Sequence, residues 1–439
     1  MVKAIKITPK NTEFVVISFE GPDKYYSQAG GLGVRVSELT QVLASKGFTT
    51  HVIFIGDPKK PGEECLQEGR LILHRWSQWI SDYYPIGVYQ GESEKLYDFN
   101  DTVPTFVMND IVKPAVERKK LVVIMGEEWH TAAAMINISD ILHYNGLRDK
   151  VLMLWNANHT MSFHRIDWGR LNYTTTITTV SKYMKHCMWG LGVNPMVISN
   201  GIPKRMLEEH DHELYKEFRT IFPSDLVLFK IGRWDPDKRW NMAVEAVACL
   251  KRIGVSTTFL IRGGKETYEG EVMHNAKKLG LMVKEVRVKE PDIKNSLDAF
   301  RRALPADILN LKFYLSEDLL RLIYRDSDAV LANSGREPFG LVGLEVMAAG
   351  GVAITGSTGE DYVTPFQNAI VLETDDPREL VQYLLFLKEH PNEEKRIRRE
   401  ARITAKQYTW DEILKNLIYR LEFIAFTKNI QMGENPHGQ

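Results

Sequence analysis

Apolar and polar positions along this chain alternate on two scales. Short runs of consecutive apolar residues are followed by longer stretches in which apolar residues recur every three or four positions. The runs predict strands at Phe14–Phe19, His51–Ile55, Leu121–Met125, Val151–Trp155, Thr175–Val180 and Met196–Ile198. A second series is predicted at Leu226–Ile231, Thr257–Arg262, Val283–Val288, Leu311–Tyr314, Ala329–Ala332, Val352–Thr355 and Ala369–Leu372. Runs that are apolar throughout, separated by helical patterns, imply parallel sheets buried on both faces. One sheet of that many strands would exceed the ordinary size, so the pattern predicts two α/β domains. The charged segment Lys204–Arg219, just before Phe222-Pro223, reads as the linker region, with a first domain over 1–205 and a second over 206–409. Ile413, Leu417, Leu421 and Ile424 then recur at helical spacing from about Trp410 to Phe426, with Thr409 as a candidate cap. The tail Gln431–Gln439 is polar, contains Gly and Pro, and reads as frayed.

Composition narrows the class. The chain has 439 residues, 44% hydrophobic and 26% charged, as expected of a globular protein. Formal net charge is −1, which gives no electrostatic reason to expect nucleic acid or an anionic membrane as an obligatory partner. The N-terminal residues show no apolar signal core, and no apolar run approaches the ~20 residues of a spanning helix. Cys65, Cys187 and Cys249 are few and widely spaced, which fits a reducing cytoplasm and predicts neither a disulfide framework nor a zinc site.

The chemistry concentrates at turns between predicted strands and helices. In Glu337-Pro-Phe-Gly-Leu-Val-Gly-Leu-Glu345, Pro338 suits the first turn of a helix. A helix starting at Pro338 or Phe339 puts Glu345 about two turns in and Glu337 just ahead of it. Backbone N–H groups near Phe339, Gly340 and Leu341 then form a seat for phosphate, with a carboxylate at each end for sugar and ribose hydroxyls. A second element is Gly232-Arg233-Trp-Asp-Pro-Asp-Lys238 after the first strand of the second series. Two cations at a strand end suit a departing diphosphate, whose negative charge grows in the transition state. A third is Gly30-Gly31-Leu32-Gly33 after the first strand, where glycines permit close approach of a phosphate or sugar. It lacks the third glycine of a dinucleotide fingerprint, although Asp57 could imitate a ribose-binding acid. Histidines 130, 159 and 164 are candidate donors to sugar hydroxyls. Trp76 and Trp79, in an aromatic stretch of the first domain, are candidate stacking rings for an acceptor.

The Glu337–Glu345 stretch resembles the E-P-F-G-L-x-x-L-E signature of retaining glycosyltransferases of the GT-B fold, the family 4 enzymes and their glycogen and starch synthase relatives. Gly232 to Lys238 is similar to their G-R-x-x-x-x-K element. Arg262-Gly263-Gly264 is similar to their G-x-G loop, and His159 stands where a histidine of the family reaches the donor sugar. Glu127-Glu128-Trp129-His130 resembles their H-D-W-H region with glutamates in the first two places. Gln28 replaces the lysine of their K-T-G-G-L loop. The resemblance runs in order over residues ~13–425. It implies two Rossmann-like domains facing across a cleft, with a last helix, 410–430, crossing back to the first. It implies retaining transfer of a hexosyl group from a nucleotide-diphosphate sugar to a sugar or other small hydroxyl acceptor, with no metal or other cofactor. Arg233, Lys238, Glu337 and His159 would be catalytic. Gly30, Gly31, Leu32, Gly33, Gly232, Gly263, Gly264, Phe339, Gly340, Leu341 and Glu345 would bind the donor, and His130, Trp76 and Trp79 the acceptor. Base, sugar, acceptor and oligomeric state stay open, and glucan elongation from ADP- or UDP-glucose is an alternative. A nicotinamide-dependent oxidoreductase would leave Arg233, Lys238 and the glutamate pair without a role; a non-catalytic sugar-nucleotide-binding protein would not.

Overall fold

The computed structural model describes residues 5–209 and 212–430. It divides into two units: Met1–Gly201 with Trp410–Gln439, and Ile202–Thr409. The tail Gln431–Gln439 lies outside the described residues, as do His210 and Asp211 of the segment read as a linker.

The first unit is built on an eight-stranded sheet. In chain order its strands are β1 Thr12–Ile17, β2 Thr49–Ile55, β3 Glu63–Leu66, β4 Leu71–Trp76, β5 Leu121–Glu127, β6 Val151–Ala157, β7 Thr176–Thr179 and β8 Met196–Val197. Their order across the sheet is β3-β4-β2-β1-β5-β6-β7-β8. All neighbours pair parallel except the edge pair β3–β4. β1 and β5 are buried along their whole length, which explains their unbroken apolar runs. The hairpin β3–β4 was not foreseen. Its polar residues His74 and Arg75 are themselves buried, Arg75 on Asp23 and Glu64. Apolar periodicity cannot signal a strand whose inward positions are polar and paired.

The second unit carries seven parallel strands: β9 Leu226–Ile231, β10 Thr257–Arg262, β11 Val283–Val286, β12 Ile308–Leu311, β13 Ala329–Ala332, β14 Ala353–Thr355 and β15 Ile370–Val371. Their order is β11-β12-β10-β9-β13-β14-β15. The strand expected at Leu311–Tyr314 lies three residues earlier, because Leu311 is its buried last residue and Lys312 begins the exit. The segment Lys204–Arg219 is no linker. It forms a short turn at Lys204–Leu207 and a helix at His212–Ile221, which buries Tyr215, Phe218 and Ile221 among its charges. A helix with one apolar stripe and three charged faces reads as solvated until its packing partner is known.

The helix Trp410–Thr427 belongs to the first unit, where Ile413, Leu417, Leu421 and Ile424 are buried. Each such side chain contributes about 1.5–3 kcal/mol when removed from water.

Both sheets reverse their strand order at one place. In the first unit the switch lies between β1 and β5, and in the second between β9 and β13. Loops leaving adjacent strands on opposite sides of a switch open a crevice at the carboxyl ends, the usual ligand position in such sheets.

Candidate active site

At the switch of the second unit, β9 leads through Gly232 and Arg233 into a tight turn at Pro236–Lys238 and the helix Trp240–Arg252. Asp235 caps that turn through the N–H of Asp237. β13 leads through Ser334–Gly340 into the helix Leu341–Ala349. Asp237 joins the two loops. Its carbonyl accepts from Gly335 N–H at 2.7 Å, and its carboxylate accepts from Arg336 N–H at 3.0 Å. Across this join Lys238 Nζ meets Glu337 Oε1 at 2.9 Å. Arg233 is exposed on the same loop, and its carbonyl accepts from the buried Trp240 indole.

The glutamate helix begins later than the sequence suggested. Pro338 and Phe339 precede it, Gly340 caps it at φ 79°, and the first helical residue is Leu341. Glu345 therefore stands just over one turn in, not two. Phe339 is buried against Tyr362 and Tyr408, so its ring is core rather than binding surface. Gly340 accepts from Tyr362 Oη through its carbonyl, and its left-handed backbone is where glycine is favoured. Glu345 accepts from Tyr324 Oη at 3.0 Å, and that phenol is fully buried. The carboxylate is thus held by a phenol from the helix Glu317–Asp326.

Gly263 has a packing reason: a Cβ there would sit 2.0 Å from the Trp234 ring, whereas one on Gly264 would meet only the movable Glu266 carboxylate, at 2.4 Å. Gly232 is open, with Lys238 no nearer than 3.9 Å. Arg239 is mostly buried and paired with Asp375 at 2.6 Å. Lys230 was missed altogether. It is a buried lysine on β9 whose ammonium nitrogen donates to Leu331 carbonyl and Asn333 Oδ1, tying β9 to β13 directly under the paired loops. Burial holds its pKa down to about 7.

In the first unit the glycine loop is closed by the chain itself. Glu20 Oε2 accepts from Ala29, Gly30 and Gly33 N–H at 3.0, 2.9 and 3.0 Å. Tyr89 donates to Glu20 Oε1 at 2.6 Å. Gly33 is needed for this approach, since a Cβ there would meet Gln28 Cα at 2.9 Å and the Glu20 carboxylate at 3.0 Å. The amides of Gly30 and Gly33 thus hold an internal carboxylate, which corrects their expected role toward a phosphate. Leu32 is buried, and Gly31 has open space around it. The only sequence signal for Glu20 was an acid at a strand end.

Across the β1–β5 switch, Glu127 pairs with Arg35 at 3.1 Å, both buried, and accepts from Asn156 and Asn158. His130 is buried between Phe19 and Trp129, with ring centroids at 4.3 and 3.9 Å, and its Nε2 lies 2.8 Å from Glu92. Burial first, against the pull of Glu92, lowers its pKa to about 4. It is a neutral packed ring rather than an exposed acceptor group. Trp76 is likewise engaged: its indole donates to Thr102 at 2.7 Å and it packs on Phe106. Trp79 is exposed, as is His164. His159 keeps 39% of its side chain exposed, beside a fully buried Glu128. Among the described residues no three His, Cys, Asp or Glu side chains gather as metal ligands, and no helix is long and apolar enough to cross a membrane.

Two switched parallel sheets, with a cation–carboxylate pair ahead of a helix N-terminus in the second, are the architecture of the GT-B fold. Residues 211–404 match the family described as glycosyl transferases group 1. No curated protein matches the chain. Among solved structures, sucrose-phosphate synthase from Thermosynechococcus elongatus is similar over 94% of this chain and 100% of its own, at TM-score 0.66 and 16% identity. The catalytic domain of starch synthase IV from Arabidopsis thaliana, bound to ADP and acarbose, matches over 95% and 99%, at TM-score 0.65 and 15% identity. HepE of Anabaena in complex with UDP-glucose matches over 93% and 99%, at TM-score 0.60 and 12% identity. At such identities the likeness shows the fold.

Proposed function

We propose that the chain moves a hexosyl group, with retention, from a nucleotide-diphosphate sugar to a hydroxyl of a sugar or other small acceptor. The observation that carries this reading is the Lys238–Glu337 pair set immediately before the helix Leu341–Ala349. A cation, a carboxylate and the first-turn amides of a helix converge there, as a diphosphate flanked by hydroxyl-bearing rings requires. Arg233 and Lys238 would oppose charge on the departing diphosphate. Glu337 would accept from donor-sugar hydroxyls and Glu345 from ribose. The bond from the anomeric carbon to the phosphate oxygen breaks with its electron pair leaving on that oxygen. The acceptor oxygen bonds to the same face, and its proton passes to the leaving phosphate. Such a step needs stabilised phosphate more than a protein base, which suits a site with cations at the strand end. The nucleotide sugars named with the similar structures, UDP-glucose among them, give the first donors to try. Purified protein should hydrolyse one of the UDP-, GDP- or ADP-sugars slowly without acceptor. Absence of binding and hydrolysis across that panel would overturn the reading.

A further inference from the structure

Glu128 follows β5 with a left-handed backbone, φ 67°, which is strained for any residue but glycine. Four hydrogen bonds pin it there. Its N–H donates to Asn156 carbonyl at 2.9 Å, and its own carbonyl accepts from Thr131 N–H at 3.0 Å, Thr131 Oγ1 at 2.9 Å and Trp155 Nε1 at 3.0 Å. The side chain is fully buried. Oε1 accepts from the N–H groups of Asn158 and His159. Oε2 stands 3.3 Å from His159 Nδ1 and has no other hydrogen-bond partner among the described residues. His159 Nδ1 is also 3.2 Å from Met161 N–H, which can only donate to it. Nδ1 is therefore an acceptor, and the neutral ring carries its proton on Nε2. A bare carboxylate oxygen facing that nitrogen lone pair would repel it. A proton between them removes the conflict, and both separations are long, as for two donors sharing one lone pair.

We propose that Glu128 is a positioning residue held as a neutral carboxyl: it donates to His159 Nδ1 and so fixes His159 as a neutral Nε2–H donor toward a sugar hydroxyl. The sugar rests on the proposed glycosyl transfer; the proton arrangement does not. Burial raises the Glu128 carboxyl to about 8, with the adjacent Glu127 charge adding and the Asn158 and His159 amides opposing. The charged and titratable groups around it are Glu127 with Arg35, Tyr89 with Glu20, and His130 with Glu92, with Arg165 over the Trp129 ring.

The test pairs ¹⁵N NMR of the His159 ring with kinetics. In the wild-type protein near neutral pH the Nε2–H tautomer should dominate, and it should give way as pH rises through about 8, where Glu128 loses its proton. Glu128→Leu removes the donor: tautomer preference should be lost and kcat/KM should fall by about tenfold or more. Glu128→Gln supplies an N–H donor and a carbonyl acceptor of the same shape. It should recover activity to within about threefold and hold the Nε2–H tautomer above pH 8. An Nδ1–H tautomer in the wild-type protein at neutral pH would overturn the proposal, as would Glu128→Gln falling as far as Glu128→Leu. If no donor is ever turned over, the tautomer measurements on the wild-type protein and Glu128→Gln still decide it.

Discussion

Lys238 Nζ lies 2.9 Å from Glu337 Oε1, although the two residues stand on separate strand–helix turns. Each therefore holds the other in place before any substrate arrives. The pair is only partly exposed, 17% and 29%, so solvent screens it incompletely. Arg233→Ala and Lys238→Ala are each expected to cut turnover by about 10²–10³, the scale for one preorganised charge-stabilising group. Substrate binding should suffer less, because the charge they oppose grows toward the transition state. The double variant should lose less than the product of the two, since both cations act on one leaving group. Glu337→Gln should lower turnover as well, through the lost sugar contact and a displaced Lys238. Single-turnover kinetics on the four variants would check this; near-wild-type rates for both cation variants would remove the centre of the mechanism.

The Tyr324–Glu345 hydrogen bond predicts a division of labour between the two glutamates. Tyr324→Phe deletes one bond to a carboxylate proposed to hold ribose and leaves no new buried polar group on the tyrosine. Nucleotide affinity should weaken by about 10- to 150-fold, the range for one hydrogen bond to a charged group, and turnover of bound donor should change little. Glu345→Ala should weaken binding further. Calorimetric titration with the nucleoside diphosphate separates these from a loss of folding.

Glu20 predicts a stability effect where a phosphate seat was expected. Glu20→Ala leaves the Ala29, Gly30 and Gly33 amides at the head of the helix Gly31–Ser45 without their shared acceptor, at a cost of about 3 kcal/mol. Glu20→Gln keeps an oxygen for those amides and should cost about 1 kcal/mol. Urea unfolding followed by tryptophan fluorescence measures both. An unfolding midpoint unchanged in Glu20→Ala would show that the cap contributes nothing.

Lys230 predicts a pH dependence of opposite sign to that of a raised carboxyl. Its pKa is lowered from 10.5 to about 7, first by burial, with Lys238 and Arg239 adding. Between those values the unfolded chain binds a proton that the native state does not, so stability of the second unit should rise with pH across that window and fall as pH drops toward 7. Lys230→Met should flatten that slope. It should also cost about 1–3 kcal/mol, because Leu331 carbonyl and Asn333 Oδ1 lose their donor. Unfolding series at several pH values would show both, and an unchanged slope in Lys230→Met would assign it to other groups.

The α/β class and two series of parallel strands were legible in the sequence. Strands buried on both faces are apolar throughout, and that is a local property of the chain. The spacing from Glu337 to Glu345 and the cations at 233 and 238 were legible for the same reason: they lie within single strand–helix turns. Even there, the helix begins at Leu341 because Gly340 takes a left-handed cap and Phe339 is drawn into the Tyr362–Tyr408 cluster, a tertiary event that moves Glu345 nearer the helix start. What only the tertiary structure decided are the contacts between turns. Strand order brings the end of β9 beside the end of β13, and so Lys238 beside Glu337 and Lys230 beneath both. It places Glu20 in the glycine loop, and Glu128 against His159. Periodicity records which face of an element is buried, but it carries no information about which element will lie alongside. Those partners are chosen by sheet order and by the requirement that every buried charge find a partner, and both conditions exist only in the folded chain.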